Sequence, residues 1–299
     1  MTPHAAVLIA AAATFGVPVA AQFRSGVEVV TVDVMVRRGG RPVTGLTSEH
    51  FELFDSGVRQ RIQSAGMEAL PLNVMLALDV SSSTEGRPLK DLQDAARAVV
   101  SSLRAEDGMA LLTFTQHVEL RAAWTADATR LLRAIDGSYA GGTTSLRDAI
   151  FCALSLREGI SGRTLLIVFS DGYDTASWLT ARDILAAANR TDVSVHVVQT
   201  IGIPARVDSE LRRELLAQPS LNEAYLLPVL ARETGGAALA VSDSAGARAA
   251  FLRILDDFRA GYVLTYTPEG VPAKGWHPIE VRLEGARGDV HARRGYSRP

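Results

Sequence analysis

Cysteine is nearly absent from this 299-residue chain, in which Cys152 is the only one. No intrachain disulfide can form, so the fold must be stabilised by its own hydrophobic core. An excess of positive charge is also missing, because 31 Lys and Arg stand against 33 Asp and Glu and leave a net charge of −2. This balance, without any run of basic residues, argues against a nucleic-acid-binding protein. Hydrophobic residues make up 47% of the chain, which suffices for a large core.

Long apolar runs are missing after residue 21. No later stretch reaches the about 18 apolar residues of a membrane span, so we expect no transmembrane helix in the mature chain. Residues 1–21 hold an apolar run followed by small residues, and we predict a signal peptide cleaved near Ala21. Its first residues carry no Lys or Arg, which leaves a buried helix of a cytosolic protein as the alternative. A cleaved signal would place the protein in a bacterial periplasm, elsewhere in the cell envelope, or outside the cell.

Common catalytic motifs are missing as well. The sequence contains neither the Gly-x-Ser-x-Gly elbow of serine hydrolases nor the His-Glu-x-x-His motif of zinc proteases. His117 and His196 lie on strand-like runs, and neither has a second His at metal-binding spacing. We therefore predict no catalytic residue, no organic cofactor and no enzyme activity, with a serine or metal hydrolase as the alternative.

The central part of the chain alternates between strand and helix patterns. The apolar runs 72–78 and 164–170 are typical of strands buried on both faces, and residues 88–104 have the apolar spacing of a helix. Such alternation predicts an α/β fold with a doubly wound, mainly parallel sheet and helices on both faces, over residues 70–258. Residues 202–222 contain two prolines and are interpreted as a loop or insertion.

Both ends of the chain have β character. Alternating patterns predict strands in two flanks, 22–69 and 259–299; the strands are expected at 27–36, 51–55, 58–64, 262–267, 279–283 and 289–296. A few strands at either end could not bury a good core alone. We therefore predict that the two flanks pack together into one small β-sandwich-like module.

Three polar motifs follow predicted strands or precede a predicted helix. They are Asp79-Val80-Ser81-Ser82-Ser83, Gly141-Gly142-Thr143-Thr144 and Asp171-Gly172. Parallel strands end at a common edge, where ligands bind in this architecture. Carboxylate and hydroxyl oxygens suit hard cations such as Mg²⁺. Serines after a strand also often cap the next helix, so capping is the alternative for Ser81 and Ser83.

Together, these motifs resemble the metal-ion-dependent adhesion site (MIDAS) of the von Willebrand factor A domain family. The resemblance implies five metal-binding positions, with Thr144 as an alternative to Thr143: Asp79, Ser81, Ser83, Thr143 and Asp171. The flanks resemble a narrower group, the exported bacterial VWFA-related proteins known from acidobacteria. That likeness rests on segments 30–34, 45–47, 51–55, 261–264 and 293–296.

The resemblance implies a function in binding rather than catalysis. A bound divalent cation, Mg²⁺ or alternatively Mn²⁺ or Ca²⁺, would hold an Asp or Glu of a protein partner, as in cell adhesion. The alternative is a scaffold or conformational-switch subunit of a cell-envelope assembly. Trp178, seven residues after Asp171, is interpreted as partly buried or as part of the rim of the site.

Overall fold

A computed structural model describes residues 29–66, 71–200 and 223–298. The predicted signal peptide with its cleavage site, and the predicted loop 202–222, lie outside the described residues. Within the described part of the chain, no helix is both long and apolar enough to cross a membrane.

The N-terminal flank contributes five short strands. They are β1 (Val30–Arg38), β2 (Arg41–Pro42), β3 (Phe51–Asp55), β4 (Val58–Gln60) and β5 (Ile62–Gly66). The prediction of one strand over 58–64 is wrong, because β4 pairs with β3 whereas β5 pairs with a strand of the C-terminal flank, in a different sheet.

The central region forms the predicted α/β unit. Its strands are β6 (Leu72–Asp79), β7 (Gly108–Phe114), β8 (Val118–Thr125), β9 (Arg163–Ser170), β10 (Ser194–Gln199) and β11 (Ala238–Ala240). Its helices are α1 (Arg87–Ser102), α2 (Ala128–Asp136), α3 (Leu146–Ser155), α4 (Ala181–Ala188), α5 (Glu223–Glu233) and α6 (Ser244–Arg259).

These strands form one six-stranded sheet in the order β11-β10-β9-β6-β7-β8. All neighbours are parallel except β8, which runs antiparallel to β7. Every residue of β6 and β9 is buried, as their continuous apolar sequences require. Helices α1, α2 and α6 cover one face of the sheet and α3, α4 and α5 cover the other, which confirms the predicted fold class.

The C-terminal flank adds β12 (Tyr262–Tyr266), β13 (Gly275–Leu283), β14 (Asp289–Ala292) and β15 (Gly295–Arg298). Both flanks contribute strands to each of two sheets, ordered β14-β1-β12-β5 and β15-β13-β3-β4, with β2 paired to β1. Val34, Leu53 and Tyr266 belong to the hydrophobic core that the two sheets share. We call these two packed sheets the β module.

The prediction of one strand over 289–296 is wrong, because β14 and β15 belong to different sheets. The break falls at Arg293, whose guanidinium is buried and donates to Thr191 O at 2.6 Å. At Arg294 the backbone N donates to Glu233 O at 2.9 Å. Contacts with the α/β unit thus interrupt the strand.

The β module lies against the amino ends of the parallel strands. Arg163, the first residue of β9, donates from Nε to Asp33 Oδ1 of β1 at 2.6 Å. Asp79 is at the other end of β6, and Asp171 follows the other end of β9. The candidate site and the β module therefore occupy opposite edges of the central sheet.

Candidate metal centre

Asp79 and Ser170 lie side by side where two neighbouring strands end. The pairing of Leu78 with Phe169 places the next residues of these parallel strands at the same level. Ser170 Oγ donates a hydrogen bond of 2.8 Å to Asp79 Oδ2. Asp79 is fully buried, so its carboxylate is held at the carboxyl edge of the sheet.

Ser81 and Ser83 form a tight turn directly after this carboxylate. Ser81 N donates to Asp79 Oδ1 at 3.0 Å, and the hydroxyls of Ser81 and Ser83 are 3.2 Å apart. The capping alternative is not observed, because α1 begins at Arg87 with Gly86 at its N-cap, and Ser81 makes no side-chain capping bond. The two hydroxyls instead face each other beside Asp79.

A glycine turn before α3 contacts the serine turn. Gly141 N donates to Val80 O at 2.9 Å, and Ser82 N donates to Gly142 O at 3.1 Å. Gly142 has a φ of +77°, and a Cβ atom at this position would collide with the Gln116 side chain. The positive φ favours glycine here, whereas the flexible Gln116 side chain could move away from a Cβ atom. The contact between the two turns brings the following threonines to the site.

Thr143 and Thr144 have different surroundings. Thr143 is exposed, whereas Thr144 is buried. The Thr144 N–H donates to Thr175 Oγ1 at 3.0 Å, and its carbonyl accepts from the N–H groups of Thr175 and Ala176. Thr144 therefore ties the glycine turn to the loop after β9, which leaves Thr143 as the more accessible hydroxyl.

Asp171 begins the loop that follows β9. Its Oδ1 accepts from Tyr173 N at 3.0 Å, and Gly172 makes the turn with a φ of +84°. Further along the loop, Asp174 Oδ2 accepts from Arg147 N in the first turn of α3 at 2.8 Å. This contact fixes the loop against the helix that follows the glycine turn.

The candidate site has an excess of negative charge. The pKa of Asp79 is raised to about 6. Burial is the main cause and the charge of Asp171 adds to it, whereas hydrogen bonds from Ser81 and Ser170 act in the opposite direction. Within the described part of the chain, the groups with the largest effect on this pKa include no cation. A buried carboxylate near a second carboxylate is costly unless a positive charge compensates it.

The side chains suit a hard divalent cation. Two carboxylates and three hydroxyls offer only oxygen, the ligand type that Mg²⁺, Mn²⁺ and Ca²⁺ prefer. In 29–66, 71–200 and 223–298, no group of three or more His, Cys, Asp or Glu could hold a metal ion. A cation at this edge would therefore need hydroxyl ligands. The residues that would hold it are the five predicted ones: Asp79, Ser81, Ser83, Thr143 and Asp171.

Two residues with a part in the site were not predicted from the sequence. Ser170 bonds the Asp79 carboxylate, and Asp174 anchors the loop that carries Asp171. Ser170 stands in the Phe-Ser-Asp-Gly segment, which was a usable signal. Asp174 had no such signal, because its role depends on the backbone of a helix 27 residues earlier in the chain.

Exposed aromatic side chains lie on the loops of the site. Trp178 is 93% exposed, so the interpretation that it is partly buried is wrong. It is on the same loop as Asp171 and Tyr173, and Tyr173 is itself exposed. Tyr139, also exposed, lies two residues before Gly141 of the glycine turn. These residues provide apolar surface on both loops.

The sequence has detectable relatives. The family model of the von Willebrand factor type A domain matches residues 74–173. Inter-alpha-trypsin inhibitor heavy chain H2 of Homo sapiens is 27% identical over 129 residues, which are 38% of this chain and 13% of the relative. The same protein of Mesocricetus auratus is 23% identical over 162 residues, or 50% of this chain and 17% of the relative. The chain thus spans less than a fifth of the length of these relatives.

A solved structure shares the fold. The structure titled von Willebrand factor type A from Catenulispora acidiphila superposes with a TM-score of 0.51, covering 87% of this chain and 75% of that one. The two are 12% identical in sequence. At this identity the likeness concerns the fold alone.

Proposed function

We propose that the segment matched by the von Willebrand factor type A domain model, residues 74–173, binds a protein partner through a divalent cation outside the cytoplasm. The observation that supports this most is the buried Asp79 carboxylate, which lies near Asp171 among hydroxyls and lacks a cation among its main electrostatic neighbours. Buried charges in proteins are paired or coordinate metals. A divalent cation would supply the missing charge.

The carboxylates and the hydroxyls have different roles in holding this cation. Asp79 and Asp171 balance the two positive charges, and the hydroxyls of Ser81, Ser83 and Thr143 add ligands without adding charge. A bound Mg²⁺ would supply an electrophilic centre for an acidic side chain of the partner. Mn²⁺ and Ca²⁺ are the alternatives, because both accept the same oxygen ligands.

The exposed aromatic residues beside the site would extend the contact with the partner. Tyr139, Tyr173 and Trp178 offer large, rigid side chains of the kind that dominate protein interfaces. A carboxylate on the cation would then fix the position of the partner, and apolar groups around that carboxylate would pack on these rings.

An affinity capture with matched variants tests the proposal. The mature chain, Asp171→Ala and the surface variant Asp183→Ala are immobilised and exposed to envelope extract of the native host in Mg²⁺ or in EDTA, and captured proteins are identified by mass spectrometry. We expect a partner that the wild type and Asp183→Ala retain only in Mg²⁺, and that Asp171→Ala does not retain. Equal capture by Asp171→Ala, or in EDTA, would rule the proposal out.

The cellular location is part of the proposal. It rests on the signal-peptide pattern of residues 1–21, which predicts export to the periplasm, the cell envelope or the medium. We expect no catalysis, because the sequence offers no histidine with the serines of the motif to activate them as nucleophiles. A screen of ester, peptide and phosphoester substrates in the presence of metal tests this expectation, and turnover of any of them would contradict it.

A conformational switch is the second candidate function. Helix α6 begins after the carboxyl end of β11, at the same edge of the parallel sheet as the candidate site, and reaches β12 of the β module through only Ala260 and Gly261. In its last turns, Asp257 forms an ion pair with Arg37 of β1. A shift of α6 on metal or partner binding would therefore reach the β module. Hydrogen exchange of residues 245–265 that slows or quickens on Mg²⁺ addition supports a switch, and unchanged exchange contradicts it.

A further inference from the structure

Gln199, the last residue of β10, is fully buried but its side chain is unpaired. Within the described part of the chain, neither Nε2 nor Oε1 of this carboxamide has a hydrogen-bond partner. The backbone is bonded, because Gln199 O accepts from Val241 N at 2.8 Å. A buried amide without a partner is costly, so it calls for a group that pairs with it, such as a water molecule or an ion.

Other buried side chains with an unpaired atom differ from Gln199. Arg163, Arg259 and His277 each leave one nitrogen unpaired, while another nitrogen of the same side chain bonds a carboxylate. That second contact anchors them in the fold. In 29–66, 71–200 and 223–298, Gln199 is the one residue that leaves two buried polar atoms unpaired.

Alternation along the strands places the Gln199 side chain on the same side of the sheet as Asp79. Ala77, Val168 and Val197 all belong to the hydrophobic core under α3, α4 and α5. Because side chains alternate along a strand, the residue two positions later has its side chain on that same side. The residues in these positions are Asp79, Ser170 and Gln199, on three neighbouring strands.

These three residues form a row at the carboxyl edge of the sheet. Gln199 lies opposite Ser170 in the parallel register, and Thr200 N donates to Ser170 O at 3.4 Å. Ser170 Oγ in turn donates to Asp79. Neighbouring strands are about 4.8 Å apart, a distance that a glutamine side chain can span. The unpaired carboxamide is therefore beside the hydroxyl that holds the candidate carboxylate.

We propose that Gln199 is a positioning residue of the metal centre, whose carboxamide hydrogen-bonds to water that the bound cation retains. This role rests on the proposed function, since it requires a cation at Asp79 and Asp171. Mg²⁺ loses its water reluctantly and usually keeps several molecules. Gln199 Oε1 accepts from such a water, and hydrogen bonds around the ligands of a metal raise its affinity. The amide thus gains in the metal-bound state the partner that it lacks without metal.

Calorimetric titration of Mg²⁺ at pH 7.5 and urea unfolding in EDTA test this role together. Gln199→Met keeps an unbranched side chain of similar length but removes both amide atoms. Gln199→Glu is the conservative variant, because it keeps an acceptor oxygen. Thr164→Val is the matched control. Thr164 Oγ1 is also buried and unpaired within the described residues, but it lies near the amino end of β9, away from the candidate site.

We expect Gln199→Met to lower the Mg²⁺ affinity by about tenfold, the lower end of what such contacts contribute. In EDTA it should unfold at the same urea concentration as the wild type or at a higher one, because it removes an unpaired buried amide. Gln199→Glu should bind Mg²⁺ at least as tightly as the wild type. Thr164→Val should bind Mg²⁺ like the wild type and should not be less stable.

The results that would overturn this role can be told apart. If the wild type takes up no Mg²⁺, both the role of Gln199 and the proposed function fail. If the wild type binds Mg²⁺ and Gln199→Met binds it equally, or if Gln199→Glu loses as much affinity as Gln199→Met, only the role of Gln199 fails. Lower stability of Gln199→Met in EDTA would show that the amide already has a partner in the metal-free fold, which also contradicts this role.

Discussion

Asp79 has the largest electrostatic cost in the candidate site. Its pKa is about 6 in the folded chain against an ordinary value of 3.8, so the folded state holds a proton more tightly than the unfolded state between these values. The free energy of unfolding of the metal-free protein therefore falls as pH rises through this window, by on the order of 3 kcal/mol. This is a cost that metal binding would offset.

Asp79→Asn tests this cost directly. The amide keeps the shape of the side chain and can accept from Ser81 N and donate to Ser170 Oγ, but it carries no buried charge. In EDTA at pH 7.5 we expect the variant to be more stable than the wild type by about 1–3 kcal/mol, and at pH 4 the difference should nearly vanish. Urea unfolding at both pH values measures it. A variant that is less stable at pH 7.5 would show that the carboxylate is not destabilising.

Metal affinity should depend on pH for the same reason. Asp79 must lose its proton to bind a cation, so below about pH 6 we expect the apparent affinity for Mg²⁺ to fall roughly tenfold per pH unit. Calorimetric titrations between pH 5 and 8 give this slope. Thr143→Ala serves as the control, because it removes a neutral ligand and should lower the affinity at every pH without changing the slope. A flat profile in the wild type would mean that Asp79 is not a ligand.

At the scale of elements, the loop after β9 depends on its anchor to α3. Asp174 accepts from Arg147 N and from Ser177 N, so it holds the loop that carries Asp171 without being a predicted ligand. We expect Asp174→Ala to lower Mg²⁺ affinity by about tenfold, the usual minimum for residues that orient metal ligands. Asp183→Ala is the matched control, because Asp183 caps only α4. Equal affinities of the two variants would contradict this role for Asp174.

The elements themselves were largely predictable from local patterns. Helix α1 was expected at 88–104 and forms at Arg87–Ser102, because its apolar stripe is regular and Pro88 marks its first turn. For strand β8 the local pattern predicts only Val118 to Leu120, whereas the strand continues to Thr125. Its end pairs with β7, where Thr125 lies opposite Met109, and Trp124 Nε1 donates to Leu156 O at 2.9 Å. Local periodicity contains no information about such partners.

The candidate site, like the elements, was only partly predictable from the sequence. Asp79 and Asp171 were predictable because buried apolar runs point to strand ends, and a parallel sheet gathers those ends at one edge. The preference for Thr143 over Thr144 came from the family resemblance, and the structure adds that Thr143 is exposed whereas Thr144 is buried.

At the scale of the whole molecule, Arg163 connects the β module to the α/β unit. Its buried guanidinium donates to Asp33 and lies 4.3 Å above the ring of Phe258 on α6. One side chain thus joins β9, β1 and the last helix. The two units should therefore lose stability together when this residue is changed.

Arg163→Met leaves Asp33 without its counter-ion, and we expect it to lower the free energy of unfolding by about 3–5 kcal/mol. Arg157→Met removes an ion pair with the half-exposed Asp192 and should cost less than about 1 kcal/mol. Urea unfolding followed by both circular dichroism and tryptophan fluorescence measures the loss. Coincident transitions are expected in Arg163→Met, whereas two separate transitions with only one displaced would show that the units are not coupled.

The direct test of the central claim is a calorimetric titration of Mg²⁺ into EDTA-stripped protein at pH 7.5. The five side chains at the carboxyl edge predict one bound ion per wild-type chain and none for Asp171→Ala, with circular dichroism showing that the variant is folded. If the wild type takes up no Mg²⁺, Mn²⁺ or Ca²⁺, or if folded Asp171→Ala binds as tightly as the wild type, these residues do not form a metal site.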